Sequence, residues 1–213
     1  MIVVSDTSPL TALLTAGAAG ILPQVFSEVV IPEAVHDELR RSHSHLPSWL
    51  RVAAVANQTQ ARQYARIVDL GEAEAIELAR ELHADRLLMD ERKGRRLAVR
   101  EGIPVIGLLG VVLLARRKQF IPSARALIDR LQEDAGIYLA DHVKEAALVS
   151  VGEQARTGPA CRFYTNGWLS LGQAARMAKL DRYALGTALA ERGIPRQYST
   201  EDLDADLHYF VGQ

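Results

Sequence analysis

Short apolar runs rich in β-branched residues alternate with longer stretches of helical period over residues 1–150. The apolar runs occupy residues 1–6, 28–31, 86–90 and 103–106, and an amphipathic stretch or a helix-start signal follows each of them. Short strands that alternate with helices form parallel sheets with helices packed on both faces. The pattern therefore predicts an α/β domain, an αβα sandwich with a central parallel sheet.

Helix signals follow these runs closely. Pro9 and Pro32 each stand just after a predicted strand, where proline favours the first turn of a helix. The next helix begins at Gly71, and its apolar stripe is formed by Ala73, Ile76, Ala79 and Leu82. Three acids fall off this stripe, namely Glu74, Glu77 and Glu81. Further helices are predicted over residues 91–101, 110–118, 123–133 and 141–149.

The pattern changes after residue 150, where Gly, Pro, Gln, Thr and Arg replace the periodic apolar positions. We expect a linker over residues 151–163, between a first domain over 1–150 and a second over 164–213. The second domain contains two short helical stretches, 169–178 and 181–192, which Lys179 and Leu180 join. This spacing is typical of an all-α unit of helix-turn-helix type, and an extended acidic tail follows it.

Composition narrows the class of protein. The chain has 213 residues, of which 48% are hydrophobic, so it contains enough apolar side chains for a packed core. Its single cysteine, Cys161, cannot form an internal disulfide. Residues 1–6 lack the basic and apolar regions of a leader, and the apolar run 105–115 is too short for a bilayer. We expect a cytoplasmic protein without a membrane-bound part.

The charges are unevenly distributed although they nearly cancel overall. Residues 86–130 contain 11 Lys and Arg side chains against 4 Asp and Glu, whereas residues 197–213 contain four acids and no Lys or Arg. A basic block of this kind contacts a polyanion such as RNA or forms a solvated helix face. We favour RNA contact, and the candidate residues are Arg92, Lys93, Arg95 and Arg96.

Acidic residues at strand ends supply the candidate chemistry. Asp6 and Asp90 each end a predicted strand, so they are expected at the same edge of a parallel sheet. Glu38 lies about two turns into the helix after the second strand, and either Glu72 or Glu74 lies in the helix that begins at Gly71, so that all four acids would converge on one edge of the sheet. Grouped carboxylates repel one another unless a hard cation such as Mg²⁺ or Mn²⁺ lies among them, and such an ion supports nuclease chemistry. The alternative is that Asp6 and Asp90 cap helices.

Five ordered segments together resemble the PIN-domain proteins, and within that family the branch found as toxins of bacterial and archaeal toxin–antitoxin pairs. They are VSDTSPL at 4–10, VIPEAVHDEL at 30–39, GEAEAI at 71–76, LLMDERKGRR at 87–96 and VIGLLG at 105–110. The resemblance implies a metal-dependent endoribonuclease with an αβα sandwich. It places the family's acids on Asp6, Glu38, Glu72 and Asp90, and the spacing to Asp90 favours Glu72 over Glu74. Many relatives have Asp where this chain has Glu72 and Glu91.

The C-terminal part resembles a small family of uncharacterised antitoxins. The segments concerned are LSLGQAARMA at 169–178, LAERGIP at 189–195 and YSTEDLDADL at 198–207. The resemblance implies that this part neutralises the nuclease and binds promoter DNA as a dimer or higher oligomer. The candidate DNA contacts surround the predicted turn, at Arg176, Lys179 and Arg182.

Inhibition has two candidate routes in the sequence. In the first, the acids of the tail pair with the basic block around Arg92 and cover the RNA entrance; these acids are Glu201, Asp202, Asp204 and Asp206. In the second, Arg192 or Arg196 reaches the acid cluster and replaces the charge of the metal. The simpler interpretation is that the acidic tail is solvated and makes no inhibitory contact. The sequence leaves open whether the contact forms within one chain or between chains.

The alternative function is that of a DNA-binding autoregulator or an interaction module, in which the PIN-like part is a catalytically silent scaffold.

Overall fold

The computed structural model describes residues 1–153 and 156–195. The chain divides into two compact units, Met1–Glu153 and Gln154–Gln213, and each unit has its own apolar core. The two units are described separately below.

A five-stranded, entirely parallel sheet forms the centre of the first unit, in the order β3-β2-β1-β4-β5. Val4 of β1 pairs with Val30 of β2 on one side and with Leu87 of β4 on the other. The chain therefore reverses its direction of winding between β1 and β4, and the carboxyl ends of these two strands are neighbours. The strands are β1 Ile2–Ser5, β2 Glu28–Pro32, β3 Leu50–Ala53, β4 Arg86–Leu88 and β5 Val105–Ile106.

Nine helices surround this sheet within the described part of the first unit, and a short 3-10 turn at Ala19–Ile21 precedes the second of them. The helices are α1 Thr7–Thr15, α2 Leu22–Val25, α3 Glu33–Ser42, α4 Gln58–Tyr64, α5 Leu70–Glu81, α6 Arg92–Arg100, α7 Leu108–Arg117, α8 Ala124–Asp134 and α9 Asp141–Ser150.

The helices form two layers because alternate strand residues face opposite sides of the sheet. Val3 and Leu88 pack in a core with α1, α2, α7 and α8, whereas Val4 and Leu87 pack in a second core with α4, α5 and α6. The structure thus confirms the predicted αβα sandwich with a central parallel sheet.

Two elements of the sandwich differ from the sequence prediction. The edge strand β3 is half-exposed along its whole length, so its sequence lacks the apolar run by which the other strands were predicted. Helix α5 is buried on every side from Gly71 to Ala79, although we expected its acids to lie off the apolar stripe. Two of its carboxylates have partners from distant parts of the chain, since Glu74 accepts the backbone N–H of Ala34 and Glu81 accepts that of Asn57, whereas Glu77 pairs with Arg80 of the same helix.

The described part of the second unit is helical. It contains α10 Thr157–Thr165, α11 Leu171–Ala178 and α12 Arg182–Ala190, and its core includes Ala160, Tyr164, Leu171, Leu185 and Leu189. Helix α10 occupies much of the linker expected over residues 151–163. Pro159 does not prevent this helix, because it lies in the first turn, where a backbone N–H has no helical acceptor.

Three residues connect α11 to α12. Lys179 adopts a left-handed conformation with φ of 57°, which ends α11, and the Asp181 carboxylate accepts the backbone N–H of Ala184 to begin α12. Ser170 and Gln173 form a capping box at the start of α11. Of the helices in the described residues, none combines the length and apolar character that crossing a bilayer requires.

Candidate active site

The candidate site lies where β1 and β4 end. The backbone N–H of Asp6 donates to the carbonyl of Leu88 at 3.0 Å, which fixes the end of β1 against β4. Within the described part of the chain, Asp6 precedes α1 without a side-chain capping hydrogen bond, although the adjacent Thr7 backbone N–H interacts with its carboxylate and lowers its pKa. The side chain is nevertheless buried. A buried carboxylate without a capping role needs another partner.

Glu38 approaches Asp6 from helix α3. Its Oε2 atom accepts a hydrogen bond from the Thr7 hydroxyl at 2.5 Å, so the residue after Asp6 orients the Glu38 carboxylate. The opposite wall is the backbone of Gly71, where a Cβ atom would lie 3.4 Å from both carboxylate oxygens. The start of α5 therefore packs directly against Glu38.

Helix α5 contributes Glu72 and, immediately before it, Asp69. The Asp69 carboxylate caps α5 by accepting the backbone N–H of Glu72 at 2.8 Å. Asp69 was not among the residues predicted from the sequence, although an acid just before a predicted helix start is a recognisable capping signal. Its charge acts on both Asp6 and Glu72.

Asp90 follows β4 and has a structural partner. Its carboxylate accepts the backbone N–H of Leu108, at 3.1 Å to Oδ1, and thereby caps α7. The alternative that a strand-end acid caps a helix therefore applies to Asp90. The helix that Asp90 caps is α7, whereas the helix that follows Asp90 along the chain is α6. Gly107 has no side chain to obstruct this contact, since a Cβ atom there would lie 2.7 Å from Oδ1 of Asp90.

Burial raises the pKa values of three of these acids, and repulsion by neighbouring carboxylates adds to the rise for two of them. Burial raises the pKa of Asp6 to about 6 against the Thr7 backbone N–H, which lowers it, and the charges of Asp69, Glu38 and Asp90 add to the rise. Burial likewise raises the pKa of Glu72 to about 7, with further contributions from Asp69 and Asp6. Desolvation also raises the pKa of Asp90, against the Leu108 amide and the Arg95 guanidinium, which lower it. The site concentrates negative charge that its own cations balance poorly.

The donor set suits a hard divalent cation, because it consists of carboxylate and hydroxyl oxygens that repel one another in the absence of a positive charge. The side chains do not form a closed cage, since no group of three or more His, Cys, Asp or Glu within residues 1–153 and 156–195 is arranged to hold an ion. The chemistry of the residues therefore fits a metal, whereas their present side-chain positions do not define its ligands.

Glu74, the alternative to Glu72 as the third acid, contacts the start of α3. Its Oε2 atom accepts the backbone N–H of Ala34 at 3.1 Å, which caps the start of α3. Glu72 interacts with Asp6, whereas Glu74 has this structural partner. The choice of Glu72 as the third acid stays a prediction, and these contacts favour it.

The four basic candidates on α6 fall into two groups. Arg92, Lys93 and Arg96 are exposed. Arg95 is half-buried, and its Nη1 atom donates to the carbonyl of Met89 at 2.9 Å beside Asp90. Arg95 therefore supports the end of β4, and only the other three are presented entirely to solvent.

The structure describes only some of the candidate residues of the second unit. Arg176, Lys179 and Arg182 are exposed around the turn between α11 and α12, and the Arg182 guanidinium lies against Gly172. Arg192 donates to the carbonyl of Ala188 at 2.8 Å, near the end of α12. The other proposed inhibitory residues lie outside the described residues, namely Arg196, Glu201, Asp202, Asp204 and Asp206.

Both parts of the chain match known protein families. The family model for the PIN domain matches residues 2–153, and the model for the uncharacterised protein family UPF0175 matches residues 138–211. A UPF0175 protein from Aeropyrum pernix is 41% identical over 68 residues, which cover 30% of this chain and 76% of the relative. No solved structure matches the chain.

The chain therefore belongs to the PIN-domain family through its first unit and to the UPF0175 family through its C-terminal part. PIN domains are generally nucleases, which supports a nuclease activity for this protein. The two matches together correspond to a PIN toxin fused to a UPF0175 antitoxin, as the sequence segments had indicated.

Proposed function

We propose that this protein is an Mg²⁺- or Mn²⁺-dependent endoribonuclease of toxin–antitoxin type, and that its C-terminal antitoxin part inhibits it. The crowding of carboxylates around Asp6 carries this proposal. Glu38, Asp69 and Asp90 all act electrostatically on a buried acid at the switch point of the sheet. Ligand sites in open parallel sheets lie at such points.

The residues divide the work of the proposed reaction. Asp6 and Glu72 would provide buried carboxylate oxygens for the cation. Glu38, which the Thr7 hydroxyl orients, and Asp90 would complete the set of acids. A bound divalent cation would lower the pKa of a water molecule and neutralise charge on the scissile phosphate. The exposed cations of α6, Arg92, Lys93 and Arg96, would contact the flanking phosphates.

Inhibition would come from the C-terminal part. The acids of residues 201–206 would compete with RNA for the cations of α6, or Arg196 would place its charge among the carboxylates of the site. Covalent linkage gives the two parts an effective concentration in the millimolar range, so the inhibitory contact would form in nearly all molecules. A contact within one chain is independent of protein concentration, whereas a contact between chains of a dimer weakens on dilution.

The second unit would also bind operator DNA as a homodimer. This part of the proposal rests on Arg176, Lys179 and Arg182, which are exposed around one turn between two short helices. Pairs of such units in a symmetric dimer would contact two half-sites on the duplex.

Metal binding provides the direct test of the site. Mn²⁺ should raise the unfolding temperature of the full chain, because a ligand at 100 times its Kd stabilises a protein by about 2.7 kcal/mol. Asp6→Asn should abolish that rise. Glu74→Gln is the matched control, since Glu74 is a buried acid of the same helix as Glu72 but accepts the Ala34 amide.

A DNA-binding regulator with a catalytically silent PIN domain is the second candidate function. The observation in its favour is that Asp90 is already engaged in capping α7 through Leu108. This function predicts that Mn²⁺ shifts the unfolding of the wild type and Asp6→Asn equally, while binding to operator DNA persists and weakens with salt.

A further inference from the structure

A groove of about 620 Å³ begins at the candidate site and runs along the first unit between α1, α7, α8 and the segment after α8. Thr7 and Asp90 line one end of this groove and also belong to the acid cluster. The groove is thus continuous with the proposed catalytic centre. Its volume falls within the range of about 300–1,000 Å³ that is usual for small-molecule sites.

The two walls of the groove differ in character. Helix α1 lines the groove with Thr7, Thr11 and Thr15, which are spaced by one helical turn and therefore lie on one face. The Thr7 hydroxyl donates to Glu38, so Thr11 and Thr15 are the hydroxyl residues of this face without that engagement. The facing wall is apolar and includes Leu109 of α7 and Leu131 of α8. A flat, amphipathic ligand would place its faces against the apolar wall and its polar edges toward the hydroxyls.

Tyr138 lies at the rim of this groove with 88% of its surface exposed. An exposed aromatic ring beside an apolar wall is a stacking platform for a planar group, and nucleobases stack on such rings irrespective of their sequence. Tyr138 lies in the segment between α8, which ends at Asp134, and α9, which begins at Asp141, so the ring belongs to a loop.

The charge of the groove excludes phosphate and acidic peptide as occupants. None of the described side chains that line it is Lys or Arg, and Asp90 contributes negative charge at its inner end. A neutral planar group fits this environment, whereas the exposed cations that suit phosphates are on α6. An unpaired base meets these requirements, because its phosphate remains outside the groove.

We propose that this groove binds one unpaired base of a single-stranded RNA, next to the nucleotide at the acid cluster, and that Tyr138 stacks on that base. The inference rests on the proposed function, since it assigns a base-binding subsite to the same nuclease centre. Unpaired bases are the parts of RNA that proteins recognise most readily by stacking and edge contacts.

Photocrosslinking tests the subsite without requiring catalysis, and it is carried out on the full chain and on a chain shortened to residues 1–155, from which the proposed inhibitory part is absent. The probe is a six-nucleotide single-stranded RNA that carries one 4-thiouridine, and it is irradiated with the protein in the presence of EDTA. Crosslinks should map to Tyr138 or to residues 108–112. The same RNA annealed to its complement should crosslink there at least several-fold less, because its bases are paired.

Binding of the same probe to variants gives the second readout. Tyr138→Ala should weaken binding about tenfold, which is within the range reported for loss of one base–aromatic stack. Tyr138→Phe should bind as the wild type does. Tyr183→Ala is the matched control, because Tyr183 is 85% exposed but belongs to α12 of the second unit.

The inference is overturned if the groove acquires no crosslink in either chain, if the duplex crosslinks equally, or if Tyr138→Ala binds like the wild type in the shortened chain. These outcomes are distinct from a failure of the nuclease proposal. Metal-dependent cleavage by the shortened chain without groove crosslinks would remove the subsite and leave the nuclease, whereas groove crosslinks in a shortened chain that does not cleave would leave the subsite and remove the nuclease.

Discussion

Gly94 of α6 lies against the carboxylate of Glu72, and a Cβ atom at this glycine would be 3.0 Å from Oε1. It would be closer still to Sδ of Met89 at the end of β4. The approach of α6 to the acid cluster therefore requires a residue without a side chain. This contact connects the helix that carries the basic candidates with the buried acid of α5.

Substitution of Gly94 should disturb both the packing and the site. Gly94→Ala should lower the free energy of unfolding by about 1–3 kcal/mol, because the added methyl group overpacks a closed contact. It should also reduce RNA cleavage, since Glu72 must move. Urea denaturation measures the first effect, and Gly20→Ala is the control, because a Cβ atom at Gly20 meets nothing within 4 Å. Equal stability of the two variants would contradict the close contact.

The raised pKa of Asp6 should make stability depend on pH in metal-free buffer. The folded state holds the proton more tightly than the unfolded state, with a pKa of about 6 against 3.8, so Asp6 favours folding at low pH. This contribution, about 3 kcal/mol for a shift of about 2 pKa units, is lost as the pH rises from about 4 through 6. Glu72, with a pKa of about 7, acts in the same direction.

Asp6→Asn isolates the contribution of Asp6 to this dependence. Relative to the wild type, the variant should become progressively more stable between pH 4 and pH 7 in EDTA. Chemical denaturation at several pH values measures the difference. A difference that stays constant over this interval would show that Asp6 is not perturbed in the folded protein.

Asp69 should have separable roles as a helix cap and as a charge. Asp69→Ala should cost about 1 kcal/mol because it removes the acceptor for the Glu72 amide. Asp69→Asn retains an acceptor, so it should remain within about 0.5 kcal/mol of the wild type in stability while it lowers the pKa of Glu72. Denaturation and NMR titration of Glu72 measure the two effects. An unchanged Glu72 pKa in Asp69→Asn would refute the electrostatic role.

Glu153 anchors the end of the first unit. Its carboxylate accepts hydrogen bonds from the Arg116 guanidinium, the Ser123 hydroxyl and the backbone N–H groups of Ala124 and Arg125. Burial alone would raise the pKa of Glu153, but these donors lower it to about 2. The stabilisation is therefore present at neutral pH and is lost as the pH falls from about 4.5 toward 2.

Glu153→Ala should accordingly destabilise the protein by about 2–4 kcal/mol, since four donors lose a charged acceptor. Glu133→Ala on the exposed face of α8 is the control and should change stability by less than about 0.5 kcal/mol. Thermal unfolding at pH 7 compares them. If Glu153→Ala behaved like the control, the anchor would not contribute to stability.

The sequence predicted the sheet well where local chemistry determines it. The runs that became β1, β2 and β4 are apolar because these strands are central in the sheet and largely buried, and the edge strand β5 is half-buried, whereas β3 is an edge with two exposed residues. Helix α10 was missed because Gly158 and Pro159 suggest a break, although both are tolerated in a first turn.

The site was predictable in part for similar reasons. Asp6 and Asp90 were identified because strand ends are a topological feature that can be read from sequence. The engagement of Asp90 with Leu108 depends on packing between β4 and α7, which are separated along the chain. The separation of Glu72 from Glu74 likewise depends on Ala34, which lies about 40 residues earlier. Such contacts follow from tertiary packing and leave no local pattern.

Cleavage of a mixed RNA pool in Mn²⁺ is the most direct test of the account. It compares the full chain with a chain shortened to residues 1–155, which retains the Glu153 anchor, and each has its Asp6→Asn control. We expect that the shortened chain cuts RNA, that the full chain cuts far less, and that Asp6→Asn abolishes cleavage. Folded chains that cut nothing, or cleavage that survives Asp6→Asn, would contradict it.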